Sequence, residues 1–125
     1  MSARRLLLVD DDETFRTRLA RAFVARGLEV ATAADPGAAL DERRREPPDY
    51  AVVDLKMPGG SGLDLVRDLA AGAPGLRIVV LTGYGSIASA VEALRLGADD
   101  YLSKPVDADE VIAALAGPKS TKGSS

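Results

Sequence analysis

Three carboxylates stand in a row at Asp10, Asp11 and Asp12, directly after the apolar run LLLV at 6–9, with no basic residue among them. Like charges packed that closely repel, and stability alone seldom calls for them. A fourth acid, Asp54, follows a second apolar run, YAVV at 50–53. Thr82 and Gly83 follow IVVL at 78–81, and Lys104 and Pro105 come shortly after Tyr101 and Leu102. Carboxylates brought together with room for water make a hard oxygen site of the kind Mg²⁺ accepts. Beside such an ion, a carboxylate can attack a phosphoryl group and become an acyl phosphate. Asp54 is the candidate nucleophile, and Lys104 could balance the charge on the equatorial oxygens while Thr82 hydrogen-bonds one of them. Singly, each group has a plainer role: Asp12 as a helix N-cap, Asp10 and Asp11 as turn residues, Lys104-Pro105 as a rigid turn. Their joint placement, each after its own apolar run, argues for chemistry.

What the composition leaves out narrows that chemistry. The chain of 125 residues contains no Cys and no His. Disulfides, thiolate nucleophiles, thiolate metal sites, imidazole acid/base catalysis and phosphohistidine are therefore excluded. A formal net charge of −3 argues against nonspecific nucleic-acid binding by this chain. Hydrophobic residues at 46% and charged residues at 28% give an ordinary globular balance. With no bilayer-length apolar stretch and no signal-peptide pattern, the expected location is cytoplasmic, with no membrane partner.

These groups need a scaffold that sends several strands to one edge, and the pattern supplies it. Strands are expected at Leu6–Val9, around Leu28, Val30 and Thr32, at Tyr50–Val53, at Ile78–Leu81 and at Tyr101-Leu102. Between them run amphipathic helical patterns. Phe15, Leu19 and Phe23 mark the first, closed by Gly27; Asp35-Pro36 opens the second, which runs to about Glu46. Leu63, Val66 and Leu69 mark the third, Ile87, Val91 and Leu94 the fourth, closed by Gly97, and Asp107 caps a fifth through Val111, Ile112 and Leu115. Five βα units predict an α/β doubly wound parallel sheet, a (βα)5 single domain over residues 1–117. Residues 118–125 read as a polar C-terminal tail, either the start of a linker or an appended remnant. In such a sheet, ligands bind outside the carboxyl ends of the strands, where Asp10, Asp54, Thr82 and Lys104 all fall.

The motifs VDDD, VVDLKMPGGSGL, LTGYG and GADDYLSKP, in that order, resemble those of the receiver (CheY-like) domain of two-component response regulators from Leu6 to Leu115. The resemblance implies a flavodoxin-like fold with strand order 2-1-3-4-5. It implies that Asp54 accepts a phosphoryl group from a sensor histidine kinase, with Lys104 pairing with that group and Thr82 hydrogen-bonding it. Mg²⁺ (or Mn²⁺) would be held by Asp10, Asp11, Asp54 and the backbone carbonyl of Lys56, Asp10 acting mainly through water. Thr82 and Tyr101 would form the switch pair, Lys56 and Tyr84 the rim of the site, and the Lys104-Pro105 bond would be cis. Tyr84 is expected to limit water access to the phosphorylated state. Output would pass through the fourth helix, fifth strand and fifth helix, the surface for a homodimer. More narrowly, LLLVDDDE, LTGYGSIASAV and DYLSKPVDADEVIAAL look like the RegA/PrrA/ActR redox-responsive transcriptional regulators. That group pairs this domain with a C-terminal helix-turn-helix, so DNA binding is expected only through a further domain beyond Ser125.

Three other readings are weaker. A stand-alone receiver would act by partner docking or in a phosphorelay. A small-molecule phosphatase using Asp54 would call for a second acid near the nucleophile, where this chain has Lys56. A flavin-phosphate module would need a hydroxyl- and glycine-rich loop after the first strand, where DDDET would repel a phosphate.

Overall fold

A computed structural model describes residues 3–57, 62–73, 75–83 and 87–117. Five strands and five helices alternate: β1 (Arg5–Val9), α1 (Glu13–Ala25), β2 (Glu29–Ala33), α2 (Pro36–Arg45), β3 (Tyr50–Asp54), α3 (Gly62–Gly72), β4 (Arg77–Thr82), α4 (Ile87–Leu96), β5 (Asp100–Ser103) and α5 (Ala108–Leu115). All strand pairs are parallel, and the sheet order is β2-β1-β3-β4-β5.

Between their end residues the central strands β1, β3 and β4 are apolar, because both faces of the sheet are covered there. Alternate residues of each strand enter different cores. Leu6 and Leu8 of β1, Val52 of β3, and Val79 and Leu81 of β4 pack with Leu19 and Phe23 of α1 and Val111 and Leu115 of α5. On the opposite face, Leu7, Val9, Ala51, Val53, Ile78 and Val80 pack with Ala39 of α2, Leu65, Val66 and Leu69 of α3, and Ala93 of α4. Each helix start that the sequence marked with an acid carries a side-chain cap. Asp12 accepts from the Phe15 backbone N–H, Asp35 from Ala38, and Asp107 from Glu110, whose own carboxylate accepts from the Asp107 N–H in return. Gly27 and Gly97 close α1 and α4 with positive φ, a conformation that costs a residue with a Cβ.

Two elements differ from expectation. On α4 the residues turned to the core are Ala90 and Ala93, with Leu94 half-buried, whereas Ile87 and Val91 are 64% and 47% exposed. Small residues suffice on the inner side because α4 lies close against α3, where Gly97 meets Ala70. At β2, Leu28 just before the strand and Val30 within it do pack beneath α1, but Thr32 is exposed and Ala33 is the buried residue. As an edge strand of the sheet, β2 leaves Thr32 open to solvent while Ala33 turns into the core.

No helix among the described residues is long and apolar enough to cross a membrane. Residues 118–125, the expected tail, lie outside the described part of the chain.

Candidate functional site

Strand register brings the acids together. Val9 stands opposite Val53 in the β1–β3 pair, so the residues that follow them, Asp10 and Asp54, leave the sheet side by side. Leu81 stands opposite Asp54, and Thr82 opposite Ser103, which places Thr82 and Lys104 at the same carboxyl edge. The Lys104 backbone N–H donates to the Thr82 carbonyl at 2.8 Å, and the Lys104-Pro105 peptide is cis.

At that edge lies a cleft of about 550 Å³ lined by Asp11, Asp12, Asp54, Lys56, Met57, Gly83 and Lys104. Asp10 is fully buried and Asp54 is 5% exposed, while Asp11 faces solvent. One carboxylate oxygen from each of these three lies within 4.8 Å of the others. Lys104 Nζ donates to Asp10 Oδ2 at 2.8 Å and to Asp54 Oδ2 at 3.4 Å, so one ammonium spans two buried acids. The other oxygens are used by the backbone: Asp10 Oδ1 accepts from the Asp12 N–H at 2.9 Å, and Asp54 Oδ1 from the Lys56 N–H at 3.1 Å.

The electrostatics follow from that packing. Burial pushes the Asp54 carboxyl up; the Lys56 N–H pulls it down, the Asp10 charge pushes it up again and Lys104 pulls it down, with a net rise above the usual aspartate range. Burial works against the Lys104 charge, but the hydrogen bond to Asp10 and the fields of Asp54 and Asp10 outweigh it, holding the ammonium above the usual lysine range. Two buried acids share one lysine, with a third acid beside them. The site therefore carries surplus negative charge built from hard oxygen donors, which suits a small dication.

The remaining residues singled out by sequence sit as follows. Thr82 is buried, and its hydroxyl donates to the Leu102 carbonyl of β5 at 3.5 Å. Tyr101 is half-buried on β5 and packs against the core on the α2–α3–α4 face. Lys56 is exposed at the cleft rim. Tyr84 lies outside the described residues.

Three neighbours of the site were not singled out as functional by the sequence. Phe15 places its ring under Lys104, with Nζ 4.2 Å from the ring centroid. Arg16 Nη1 donates to the Asp10 carbonyl at 2.8 Å, and Met57 forms a buried wall of the cleft. Phe15 was legible only as part of an apolar stripe. Its place in the first turn of α1, next to the Asp12 cap, was the one available hint that it stands at the sheet edge.

Comparison with known proteins places the chain in one family. A family model described as the response regulator receiver domain matches residues 6–116. The chain is 57% identical over 114 residues to the photosynthetic apparatus regulatory protein RegA of Cereibacter sphaeroides, covering 90% of this chain and 61% of that protein. It is 49% identical over 110 residues to the acid tolerance regulatory protein ActR of Rhizobium meliloti, covering 88% of this chain and 57% of that protein. It thus spans about 60% of the length of these RegA and ActR relatives. Among solved structures, a Burkholderia pseudomallei response regulator with a phosphorylated aspartic acid, calcium ion and citrate superposes with a TM-score of 0.85 at 42% identity, covering 90% of this chain and 66% of that one. A CheY-like receiver domain protein from Methanospirillum hungatei superposes with a TM-score of 0.86 at 32% identity, covering 91% of each chain.

Proposed function

The chain belongs to the response regulator receiver domain family, and from that premise we propose that it is a phosphorylation-driven switch whose phosphoryl acceptor is Asp54. The observation that carries this reading is the convergence of the Asp10, Asp11 and Asp54 carboxylates, with the Lys104 ammonium spanning the two buried ones. Asp54 opens onto a cleft, and its neighbours supply charge of both signs within a few ångströms.

The donor is the phosphohistidine of a sensor histidine kinase. An Asp54 carboxylate oxygen attacks phosphorus while the N–P bond of the donor breaks, its electron pair remaining on the imidazole nitrogen. Asp10, Asp11 and Asp54, with the backbone carbonyl of Lys56, would hold Mg²⁺ (or Mn²⁺), which supplies positive charge against the phosphoryl oxygens. Lys104 already lies 3.4 Å from Asp54 Oδ2, so its ammonium meets the incoming oxygens with little rearrangement. Asp10 holds that ammonium from the other side, and Arg16 secures the Asp10 backbone.

Switching follows from differential contacts. The Thr82 hydroxyl, now on the Leu102 carbonyl, is drawn to a phosphoryl oxygen, and Tyr101 turns inward to fill the space. The change is passed to α4, β5 and α5, whose exposed Ile87 and Val91 offer a homodimer surface. Longer relatives include proteins named as transcriptional regulators, one of them DNA-binding, which supports a transcriptional output through a DNA-binding domain joined to the receiver (1–117) by the segment from 118 onward; the proposed place of action is the cytoplasm.

Incubation with acetyl phosphate, with Mg²⁺ or with EDTA, followed by intact mass measurement, tests the reading. One phosphoryl adduct that requires Mg²⁺ is expected. Adduct formation of equal extent in EDTA would contradict the role given to the acidic cluster.

A further inference from the structure

Phe15 stands apart from the rest of the first helix's apolar stripe. Leu19 and Phe23 are buried in the core on the α1–α5 face, 4% and 0% exposed, whereas Phe15 is only half-buried and meets the ammonium of Lys104. It sits one turn past the acidic run, and its backbone N–H donates to the Asp12 N-cap at 3.1 Å. Asp12 in turn donates its own N–H to Asp10 Oδ1. The turn that delivers Asp10 and Asp11 to the site thus also fixes where the ring lies.

We propose that Phe15 is a positioning residue for phosphoryl transfer, its ring face holding the Lys104 ammonium between the Asp10 and Asp54 carboxylates. This rests on the phosphoacceptor reading above. Lysine has a long, freely rotating side chain, and Lys104 keeps 25% of its side-chain surface exposed, so water competes for its N–H groups. The ring occupies one side of the ammonium with negative π density, which attracts the cation without accepting a conventional hydrogen bond. The N–H donors are left for the two carboxylates, at 2.8 Å and 3.4 Å, and for whatever oxygen joins Asp54. An aliphatic side chain of similar size would still cover the lysine stem but would not attract the charge. Phe15 acts through Lys104 and need not touch the phosphoryl group.

The test compares Phe15→Leu and Phe15→Tyr, each alone and with Lys104→Ala, in two measurements. The first is the NMR shift of the Lys104 ε-methylene group in the protein without phosphodonor, which the ring should move upfield in the wild type and in Phe15→Tyr but not in Phe15→Leu. The second is the rate of adduct formation from acetyl phosphate at saturating Mg²⁺. That rate should fall about three- to tenfold in Phe15→Leu, as expected for loss of one partly desolvated cation–π contact, and stay within about twofold of wild type in Phe15→Tyr. On the Lys104→Ala background, Phe15→Leu should cause no further loss, because the ring has lost its partner. An unshifted Lys104 resonance in the wild type overturns the proposal. So does a Phe15→Leu rate equal to wild type, or an equal loss on the Lys104→Ala background. A wild type that forms no adduct removes the phosphoacceptor reading and the positioning role together, which separates that failure from one confined to Phe15.

Discussion

Two acids buried beside one lysine make the site a store of unfavourable charge, and this can be measured. The Asp54 carboxyl is held above the usual aspartate range, with burial the largest cause, so the folded protein binds that proton more tightly than the unfolded chain does. Its contribution to stability is therefore fully present below the unfolded aspartate pKa and is lost as pH rises through the folded value. Without metal, Asp54→Asn should melt higher than wild type at neutral pH, the gap shrinking as pH falls through the carboxylate range; a gap independent of pH would contradict this. Lys104 works in the other direction, because removing it leaves Asp10 and Asp54 facing each other unpaired. Lys104→Ala should cost about 1–3 kcal/mol in metal-free urea unfolding, less than a fully buried pair would because Lys104 is partly exposed, and Mg²⁺ should recover part of the loss. Asp10, Asp54 and Lys104 were legible in the sequence because each follows an apolar run whose end must meet the sheet edge. The Phe15–Lys104 contact was not, since its partners belong to different βα units and periodicity places only Phe15's own helix face.

Elements were readable where burial is two-sided. The cores of β1, β3 and β4 stand out as uninterrupted aliphatic runs, and the acids at 12, 35 and 107 marked the starts of α1, α2 and α5 through their caps. On α4 two of the three apolar residues that marked the helix face solvent: Ile87 and Val91 are exposed, and Ala90 and Ala93 make the fully buried inner face, because helix spacing rather than hydrophobicity sets side-chain size there. The close approach of α3 to the loop after β3 was also hidden. A Cβ on Gly62 would lie 2.7 Å from the Leu55 Cα and 2.8 Å from the Asp54 carbonyl oxygen, both backbone atoms that cannot rotate away. Gly62→Ala should therefore cost about 1–3 kcal/mol in chemical denaturation and slow phosphorylation by displacing Asp54. In the opposite core, Phe23 is fully buried, and Phe23→Ala should cost about 3–5 kcal/mol while sparing the geometry of the acidic edge.

For the whole molecule, the sheet gathers its chemistry at one edge, while α4 presents apolar surface to solvent. If that surface becomes a dimer interface on phosphorylation, sedimentation after acetyl phosphate treatment should show a shift from monomer to dimer. Val91→Asp should abolish the shift while changing unfolding free energy by no more than about 0.5 kcal/mol, as an exposed substitution should; a Val91→Asp protein that still dimerises would place the interface elsewhere. Every proposed output depends on Asp54 being the residue modified. The most direct measurement is to treat the protein with Mg²⁺ and acetyl phosphate, reduce any acyl phosphate with borohydride, and map the reduced residue by peptide mass spectrometry beside Asp54→Ala. A phosphoacceptor role for Asp54 predicts reduction there in the wild type and none in Asp54→Ala. Reduction at Asp10 or Asp11, or an adduct that survives in Asp54→Ala, would contradict it.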